Sequence, residues 1–206
     1  MITIYGLAGS RSARAVWTLE ELGLPYDYVA VDIRHRRAGG RPLGDLNPAC
    51  KVPILQDGDF VLTESAAICL YLAELDPQRR LLPNDGVQQD ARLQQWCSFA
   101  ISELEQPLWT HAKHRFALPK RYRVPAIRGT LSYEFQQVLG LLEIGLGDRE
   151  WILGQRFTVA DILIADALGW AGGDEWPIDS PRLSDYLARA QDRPAWGRAR
   201  RRECAN

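Results

Sequence analysis

The chain has 206 residues and is nearly neutral, because 25 Lys and Arg residues oppose 26 Asp and Glu residues for a formal net charge of −1. With 46% hydrophobic residues it has the composition of a globular protein, and its charge excludes a strong overall attraction to nucleic acid or anionic lipid. A local basic patch can still bind an anion.

The sequence has no basic, apolar leader at its N-terminus, and its longest strongly apolar run, 162–171, is too short to cross a bilayer. Four cysteines are scattered along the chain without a CxxC pair, which indicates free thiols in a reducing compartment. We therefore expect a cytoplasmic protein with no nucleic-acid partner and no membrane partner.

The first part of the chain alternates strand-like and helical patterns. Residues 2–5 predict a strand, 11–22 a helix that stops at Gly23, and 26–31 a second strand rich in aromatic and β-branched residues. A β-α-β order of this kind predicts two parallel strands joined by a right-handed crossover.

A segment rich in arginine and glycine, roughly 34–48, predicts irregular structure. Short strands at 53–55 and 60–62 then flank the pair Asp57-Gly58, which is a strong hairpin signal. The hairpin would add antiparallel strands to the same sheet. A helix over 64–75 follows.

Everything after the turn-rich segment 81–86 is patterned as helix. Apolar side chains recur at helical spacing in three stripes: Cys97, Ala100, Ile101, Leu104 and Leu108; Ile127, Leu131, Phe135, Val138 and Leu142; Leu183, Tyr186, Leu187 and Ala190. Thr158 and Asp161 form a capping box that opens a helix apolar on nearly every side, which predicts that this helix is buried. Pro194 would open a last short helix.

Two parts of this pattern resemble the soluble glutathione S-transferases. Residues 47–55 (NPACKVPIL), the pair Asp57-Gly58 and residues 63–68 (TESAAI) are similar to the glutathione-site signature of that family. Residues 157–162 (FTVADI) are similar to its capping box and central helix. The motifs occur in the family's order and together cover essentially the whole chain.

The resemblance implies an α/β plus all-α architecture. A thioredoxin-like domain at 1–76 would bind glutathione, 77–86 would be a linker, and an α-helical bundle domain at 87–206 would supply the electrophile site and the contacts of a homodimer. The implied activity is attack of the glutathione thiolate on a small hydrophobic electrophile, with no metal. Two alternatives share this fold, a glutathione-dependent disulfide reductase or peroxidase and a non-catalytic binding protein.

The thiol of glutathione needs a group that stabilises its thiolate. An ordinary cysteine-type thiol has a pKa of about 8.5, and lowering it by two units takes roughly 2.7 kcal/mol. A hydrogen bond from a hydroxyl and the positive end of a helix together stabilise a thiolate by an energy of about this size. Ser10 matches the serine of theta-like, serine-type enzymes, many of them bacterial, with Arg14 in support and Ser12 as the runner-up. Either serine could instead simply cap the helix.

The signature implies further roles in binding glutathione. The N-terminus of the helix that begins near Glu64 and Ser65 would receive the γ-glutamyl carboxylate, and Glu64 would pair with the ammonium group. The Val52-Pro53 peptide bond is cis in the family, which leaves the Val52 backbone free to pair with glutathione. From the residues alone, a structural helix cap and an ordinary trans proline are the favoured interpretations of these positions, and only the resemblance reverses that preference.

The glycine carboxylate of glutathione needs a cation. Lys51 is the candidate best fixed by its motif neighbours, and the other candidates in the preceding segment are Arg34, His35, Arg36, Arg37 and Arg41. His111 and His114 are three apart on a predicted helix, but no third ligand accompanies them, so no metal site is expected.

Overall fold

The computed structural model of the protein describes residues 1–84, 86–173 and 176–205. The chain forms two compact units. The first consists of residues 1–84 together with the C-terminal segment that begins at Ala190, and the second consists of the helices between them. The predicted combination of an α/β part and a helical part is confirmed.

Residues 1–84, all of which the structure describes, contain a six-stranded sheet in the order β4-β3-β2-β1-β5-β6. The strands are β1 (Ile2–Gly6), β2 (Tyr26–Asp32), β3 (Arg37–Ala38), β4 (Arg41–Pro42), β5 (Ile54–Asp57) and β6 (Phe60–Thr63). The helices of this part are α1 (Ser12–Leu22) and α2 (Ser65–Glu74). Strands β1 and β2 run parallel, and every other pair is antiparallel. The predicted β-α-β unit and the predicted hairpin are therefore confirmed.

One hairpin lies inside the segment for which the sequence predicts irregular structure. Gly39 and Gly40 have φ values of 55° and 83°, in the left-handed region that glycine enters without steric cost. This turn pairs Ala38 with Arg41 across β3 and β4. Each strand is only two residues long, too short to produce an alternating pattern in the sequence.

Helix α1 is enclosed almost completely. Gly23 ends it in the left-handed conformation, and its N–H donates to the carbonyl of Leu19, as predicted from the Gly23 signal. The apolar side chains that this unit buries completely include Ile4, Val16, Trp17, Leu19, Ile54, Leu55, Ile68 and Leu72. The core therefore lies between the sheet and its two helices and fixes the ends of β1 and α1 relative to each other.

The C-terminal segment from Ala190 packs with the first unit, whereas the predicted division assigned it to the helical domain. In helix α8 (Pro194–Cys204) the ring of Trp196 lies 4.7 Å from the ring of Trp17. Just before α8, the guanidinium of Arg193 donates to both carboxylate oxygens of Glu21, each at 2.7 Å. A helical stripe in the sequence identifies a buried face but not the element that covers it.

The second unit is helical, with α3 (Val87–Phe99), α4 (Gln106–Ala112), α5 (Arg128–Leu146), α6 (Val159–Gly173) and α7 (Pro181–Gln191). A π-helical turn over Ala100–Leu104 joins α3 to α4. Its wider winding shifts the apolar face, and Ile101, predicted to lie in the buried stripe, is 36% exposed. Across the described ranges of the chain, no helix is long and apolar enough to span a membrane.

One half of the predicted capping box is present, the bond from the Thr158 N–H to the Asp161 carboxylate, and two further donors extend it. The N–H of Asp161 donates to the Thr158 carbonyl at 3.1 Å rather than to the Thr158 hydroxyl. Asp161 is fully buried, and its carboxylate accepts the N–H and the hydroxyl of Thr158 at 2.8 and 2.9 Å. It also accepts the N–H of Ile152 and the hydroxyl of Tyr186, both at 2.8 Å. Burial raises the pKa of Asp161, and these donors oppose that shift. One carboxylate thus joins the start of α6 to a preceding turn and to α7.

An ion pair near the end of α2 joins the two helices of the first unit. Asp76 is buried and accepts from Nε of Arg80 at 2.9 Å, while Nη2 of Arg80 also donates to the carbonyl of Leu22 at 2.8 Å. The hydrogen bond from Arg80 lowers the pKa of Asp76 from 3.8 to about 2. The pair therefore ties the segment after α2 to the C-terminus of α1.

This ion pair predicts an acid-dependent loss of stability. Because the folded pKa of Asp76 lies below its unfolded value, its contribution is complete above the unfolded value of 3.8 and is lost as the pH falls towards about 2. We expect Asp76→Asn to lower the free energy of unfolding at neutral pH, with the difference from the parent shrinking through that window. Urea unfolding at a series of pH values measures it. A difference that stays constant below about pH 4 would contradict the assignment.

Candidate active site

The turn between β1 and α1 brings two serine hydroxyls together. The hydroxyl oxygens of Ser10 and Ser12 are 2.9 Å apart, and Ser10 Oγ lies 2.7 Å from the carbonyl oxygen of Leu7, to which it donates. Ser12 Oγ accepts the N–H of Leu7 at 3.2 Å. When the Ser10 hydroxyl donates its proton to the Leu7 carbonyl, the bond between the two serines must be donated by the Ser12 hydroxyl to Ser10 Oγ. The two hydroxyls then form a short chain in which Ser12 donates to Ser10.

The two serines differ in exposure. Ser12 is fully buried, whereas Ser10 is partly exposed. Ser10 Oγ also accepts the N–H of Ser12, the first residue of α1, at 3.2 Å. A role in capping and a role towards a ligand are therefore compatible at Ser10, because its proton can turn outward. Ser12 has no such freedom, since its hydroxyl lies beneath the turn.

Gly6, at the end of β1, permits this close packing. A β-carbon at this position would come within 2.8 Å of the Tyr28 hydroxyl and 2.9 Å of the Ser12 β-carbon. Any side chain at position 6 would therefore displace the Tyr28 ring or the buried serine. In the sequence, the only signal of this requirement is a glycine directly before the turn.

Arg14 connects this turn to the start of α2. Its side chain is fully buried, and Nη1 donates to Ser65 Oγ at 3.2 Å. Ser65 is itself 5% exposed and is the first residue of α2. Because its oxygen accepts from Arg14, the Ser65 proton remains available to donate to an anion. A buried guanidinium and a helix N-terminus both favour negative charge at this position.

Glu64 directly precedes α2 and has an unusual backbone. Its φ of 67° lies in the left-handed region, which a residue with a β-carbon seldom adopts, and its side chain is exposed. The turn brings the Glu64 carboxylate out to solvent next to the first N–H groups of the helix. Strained positions of this type concentrate at functional sites.

The loop before β5 is organised by Asn47. Its amide nitrogen donates to the carbonyl of Lys51 at 3.0 Å, and its oxygen accepts the N–H of Ala49 at 3.0 Å. The Val52-Pro53 peptide bond that follows is cis. The ladder between β1 and β5 begins only at Ile54, so the Val52 backbone lies beyond the paired part of the strand. Asn47 stands at the start of the signature, but its role in the loop was not predicted from the sequence.

We expect Asn47→Ala to raise KM for glutathione and to lower the free energy of unfolding by about 1–3 kcal/mol, because it leaves two backbone groups of the loop without their partner. Asn47→Asp is the matched variant, since it keeps the acceptor for Ala49 but cannot donate to Lys51. Steady-state kinetics and urea unfolding measure both effects. An unchanged KM in Asn47→Ala would show that the loop does not depend on this amide.

The candidate cations occupy different environments. Lys51 is exposed beside the loop. Arg41 is partly buried and donates to the hydroxyl of Tyr5 at 2.7 Å and to Gln56 Oε1 at 2.8 Å, so its guanidinium is already engaged on the sheet. His35 is exposed and lies 2.7 Å from Asp32, whose hydrogen bond raises the pKa of His35.

The two histidines considered as possible metal ligands, His111 and His114, each make a different contact within the helical unit. His111 packs edge-on against Trp176, with ring centroids 5.5 Å apart. His114 Nδ1 accepts the N–H of Val124 at 3.0 Å. Among residues 1–84, 86–173 and 176–205 there is no group of three or more His, Cys, Asp or Glu side chains that could hold a metal ion.

The sequence is similar to that of known proteins. A model of the glutathione S-transferase N-terminal domain matches residues 9–75, which include both serines and the whole signature. Glutathione S-transferase GstA of Escherichia coli is 31% identical over 193 residues, covering 90% of this chain and 90% of that protein.

Two solved structures are similar over nearly their full length. A bacterial beta class glutathione S-transferase of Sphingomonas chungbukensis is 32% identical, with a TM-score of 0.84, covering 98% of each chain. A sphingomonad glutathione S-transferase complexed with glutathione is 29% identical, with a TM-score of 0.86, covering 99% of this chain and 100% of that one. With sequence identity above 30% over most of both chains and the same fold, this chain belongs to the glutathione S-transferase family.

Proposed function

We propose that the protein conjugates glutathione to a small hydrophobic electrophile and that the Ser10 hydroxyl stabilises the attacking thiolate, as in serine-type rather than cysteine-type enzymes. The observation that carries this proposal is the Oγ of the partly exposed Ser10 next to the first turn of α1, with the Oγ of the buried Ser12 2.9 Å from it. A hydroxyl that receives one hydrogen bond is a better donor in the next, so the serine chain supports this role.

In the proposed reaction the glutathione sulfur loses its proton to solvent and becomes a thiolate. Ser10 turns its O–H from the Leu7 carbonyl to the sulfur, and the positive end of α1 adds to the stabilisation. The sulfur electron pair then forms a C–S bond with the electrophilic carbon, and the leaving group departs with the electrons of the broken bond. Lowering the thiol pKa by two units corresponds to about 2.7 kcal/mol.

The remaining proposed contacts hold the two ends of glutathione. Ser65 and the N-terminus of α2 would receive the γ-glutamyl carboxylate, since the Ser65 proton is available when Arg14 donates to its oxygen. Glu64, exposed beside that helix end, would pair with the ammonium group. The Val52 backbone next to cis-Pro53 would pair with the cysteinyl backbone of glutathione.

Lys51 is the proposed partner of the glycine carboxylate, because it is exposed whereas Arg41 is engaged with Tyr5 and Gln56. His35 is a further exposed candidate. In the helical unit, the half-buried rings of Trp109 and Trp170 are candidates for contact with the electrophile.

A thiolate titration tests the function. Glutathione is added to the purified protein, and the ultraviolet absorbance of the thiolate is followed against pH. We expect a midpoint near pH 6.5, about two units below that of free thiol. Binding with an unshifted midpoint would instead favour a non-catalytic binding protein, and no binding would contradict both. Turnover of a hydroperoxide or disulfide, but not of an activated aryl halide, would favour the reductase or peroxidase alternative.

We further propose a homodimer that acts in the cytoplasm in detoxification. All four cysteines are free thiols, which suits a reducing compartment. The edge strand β6 exposes 48% of Phe60 and 38% of Val61, and α5 exposes 57% of Leu141 and 80% of Ile144. Exposed apolar side chains of this kind are typical of interaction surfaces. Analytical ultracentrifugation tests the dimer, and a monomer at micromolar concentration would contradict it.

A further inference from the structure

The segment that joins α4 to α5 concentrates positive charge. No Asp or Glu occurs between Glu105 and Glu134, whereas this interval contains six cationic residues, Lys113, Arg115, Lys120, Arg121, Arg123 and Arg128. The chain as a whole has a net charge of −1, so this is a local feature. We call residues 113–128 the basic knob.

The basic knob is held in shape by its own hydrogen bonds. The guanidinium of Arg123 donates to the carbonyls of Leu118, Arg115 and Phe116 at 2.7, 3.1 and 2.7 Å. These carbonyls lie at the end of the second π-helical turn, Lys113–Ala117, where a helix leaves acceptors unsatisfied. The His114 ring accepts the N–H of Val124. Both contacts fasten residues 122–124 against residues 114–118.

This arrangement exposes apolar side chains beside the charges. Arg123 has an extended backbone and directs its side chain inward, so its neighbours in the chain project away from the carbonyls that it binds. Tyr122 and Val124 are 56% and 51% exposed. Phe116, whose carbonyl accepts from Arg123, is 61% exposed. The Arg121 guanidinium lies 4.8 Å from the centroid of the Tyr122 ring.

We propose that the basic knob is a peripheral docking surface for a membrane with anionic lipid headgroups. Lys120 and Arg121 are exposed and match the negative charge of such a surface, and Phe116, Tyr122 and Val124 match its apolar boundary. Attachment of this kind needs no membrane-spanning helix. It also needs no overall positive charge, because electrostatic attraction falls off within a Debye length of the surface.

The composition of the knob favours lipid over nucleic acid. A single-stranded nucleic acid is held by a groove of positive charge along which aromatic rings stack on successive bases. The exposed side chains of the knob include the aliphatic Val124 together with Pro119 and Pro125. Aliphatic side chains gain from contact with acyl chains and do not stack on bases.

Cosedimentation of the full-length protein with vesicles tests the proposal. We expect binding to vesicles of phosphatidylglycerol and phosphatidylcholine in equal parts, weaker binding as salt is added, and none to phosphatidylcholine alone. Each cation at a lipid surface contributes roughly a fivefold increase in partitioning, so Lys120→Gln with Arg121→Gln should lower it about 25-fold. Tyr122→Ser with Val124→Ser should also lower it, with the salt dependence retained.

The matched control is Arg92→Gln with Arg201→Gln, which removes the same charge from exposed positions outside the knob. This variant should partition like the parent, and thermal unfolding should be unchanged in all three variants. Failure of the parent to bind the anionic vesicles, or an equal loss in the control, would overturn the proposal. Binding of a single-stranded oligonucleotide through Lys120 and Arg121, without vesicle binding, would overturn it in favour of nucleic acid.

Discussion

Replacing Ser10 by alanine is expected to lower kcat/KM for conjugation at neutral pH roughly tenfold to a hundredfold and to raise the pKa of bound glutathione. The change removes a hydrogen bond to a charged sulfur, and such bonds contribute about 1.5–3 kcal/mol. KM for glutathione should change less, because the proposed contacts to its two carboxylates are untouched. Steady-state kinetics with an activated aryl halide and the thiolate titration measure both effects.

Two serine variants serve as controls. Ser102→Ala removes a hydroxyl that is exposed in the helical unit and bonds to the Ser98 carbonyl, so it should leave kinetics unchanged. Ser12→Ala removes the buried bond to the Leu7 N–H and should mainly lower the free energy of unfolding, by about 1–3 kcal/mol. A larger rate loss in Ser12→Ala than in Ser10→Ala, at unchanged stability, would reverse the proposed roles.

Asp161→Ala is expected to lower the free energy of unfolding by about 3–5 kcal/mol. The carboxylate is fully buried and accepts four hydrogen bonds, so its loss leaves two backbone N–H groups and two hydroxyls without a partner. Removal of one member of a buried polar group is among the few single changes with effects of this size. Urea unfolding measures it.

Two variants with smaller expected effects, one just before α7 and one within it, provide a scale for that result. Ser180→Ala removes a cap that makes one hydrogen bond, to the Leu183 N–H at 3.2 Å, and should cost about 1 kcal/mol. Tyr186→Phe removes one of the four donors to Asp161 and should cost a similar amount. If Asp161→Ala cost no more than Ser180→Ala, the carboxylate would not be the centre that joins the three segments.

Local signals in the sequence predict most of the fold. The parallel strand pair, the hairpin at Asp57-Gly58, the end of α1 at Gly23 and the start of α8 at Pro194 all depend on a few neighbouring residues, and the structure contains each of them. The strands of the β3–β4 hairpin are too short to show an alternation of apolar and polar residues. The π turn at Ala100–Leu104 changes the number of residues per helical turn, which a prediction from apolar spacing takes as constant. The position of α8 depends on contacts between residues far apart in sequence.

In the candidate site, too, some features follow from local sequence and others depend on contacts between distant residues. The signature predicts which loop and helix end form the proposed site, because the motif residues are contiguous. The sequence prefers Ser10 to Ser12 only through the resemblance, because the physical difference between them, the complete burial of Ser12 under Gly6 and Tyr28, appears only in the structure. The burial of Arg14 is equally invisible in the sequence, because arginine is usually exposed and only its bond to Ser65, 51 residues away, shows why it is inside.

The packing of α8 on α1 also bears on how the protein is made. Arg193 and Glu21 are 172 residues apart in sequence, so during translation α1 emerges long before the helix that covers Trp17. The first unit therefore cannot complete its fold on the ribosome until the helical unit has been synthesised, unlike domains that fold one after another. A nonsense mutation within α8 would leave every proposed glutathione contact encoded and yet release a nascent chain with an uncovered aromatic surface, a substrate for chaperones and proteases.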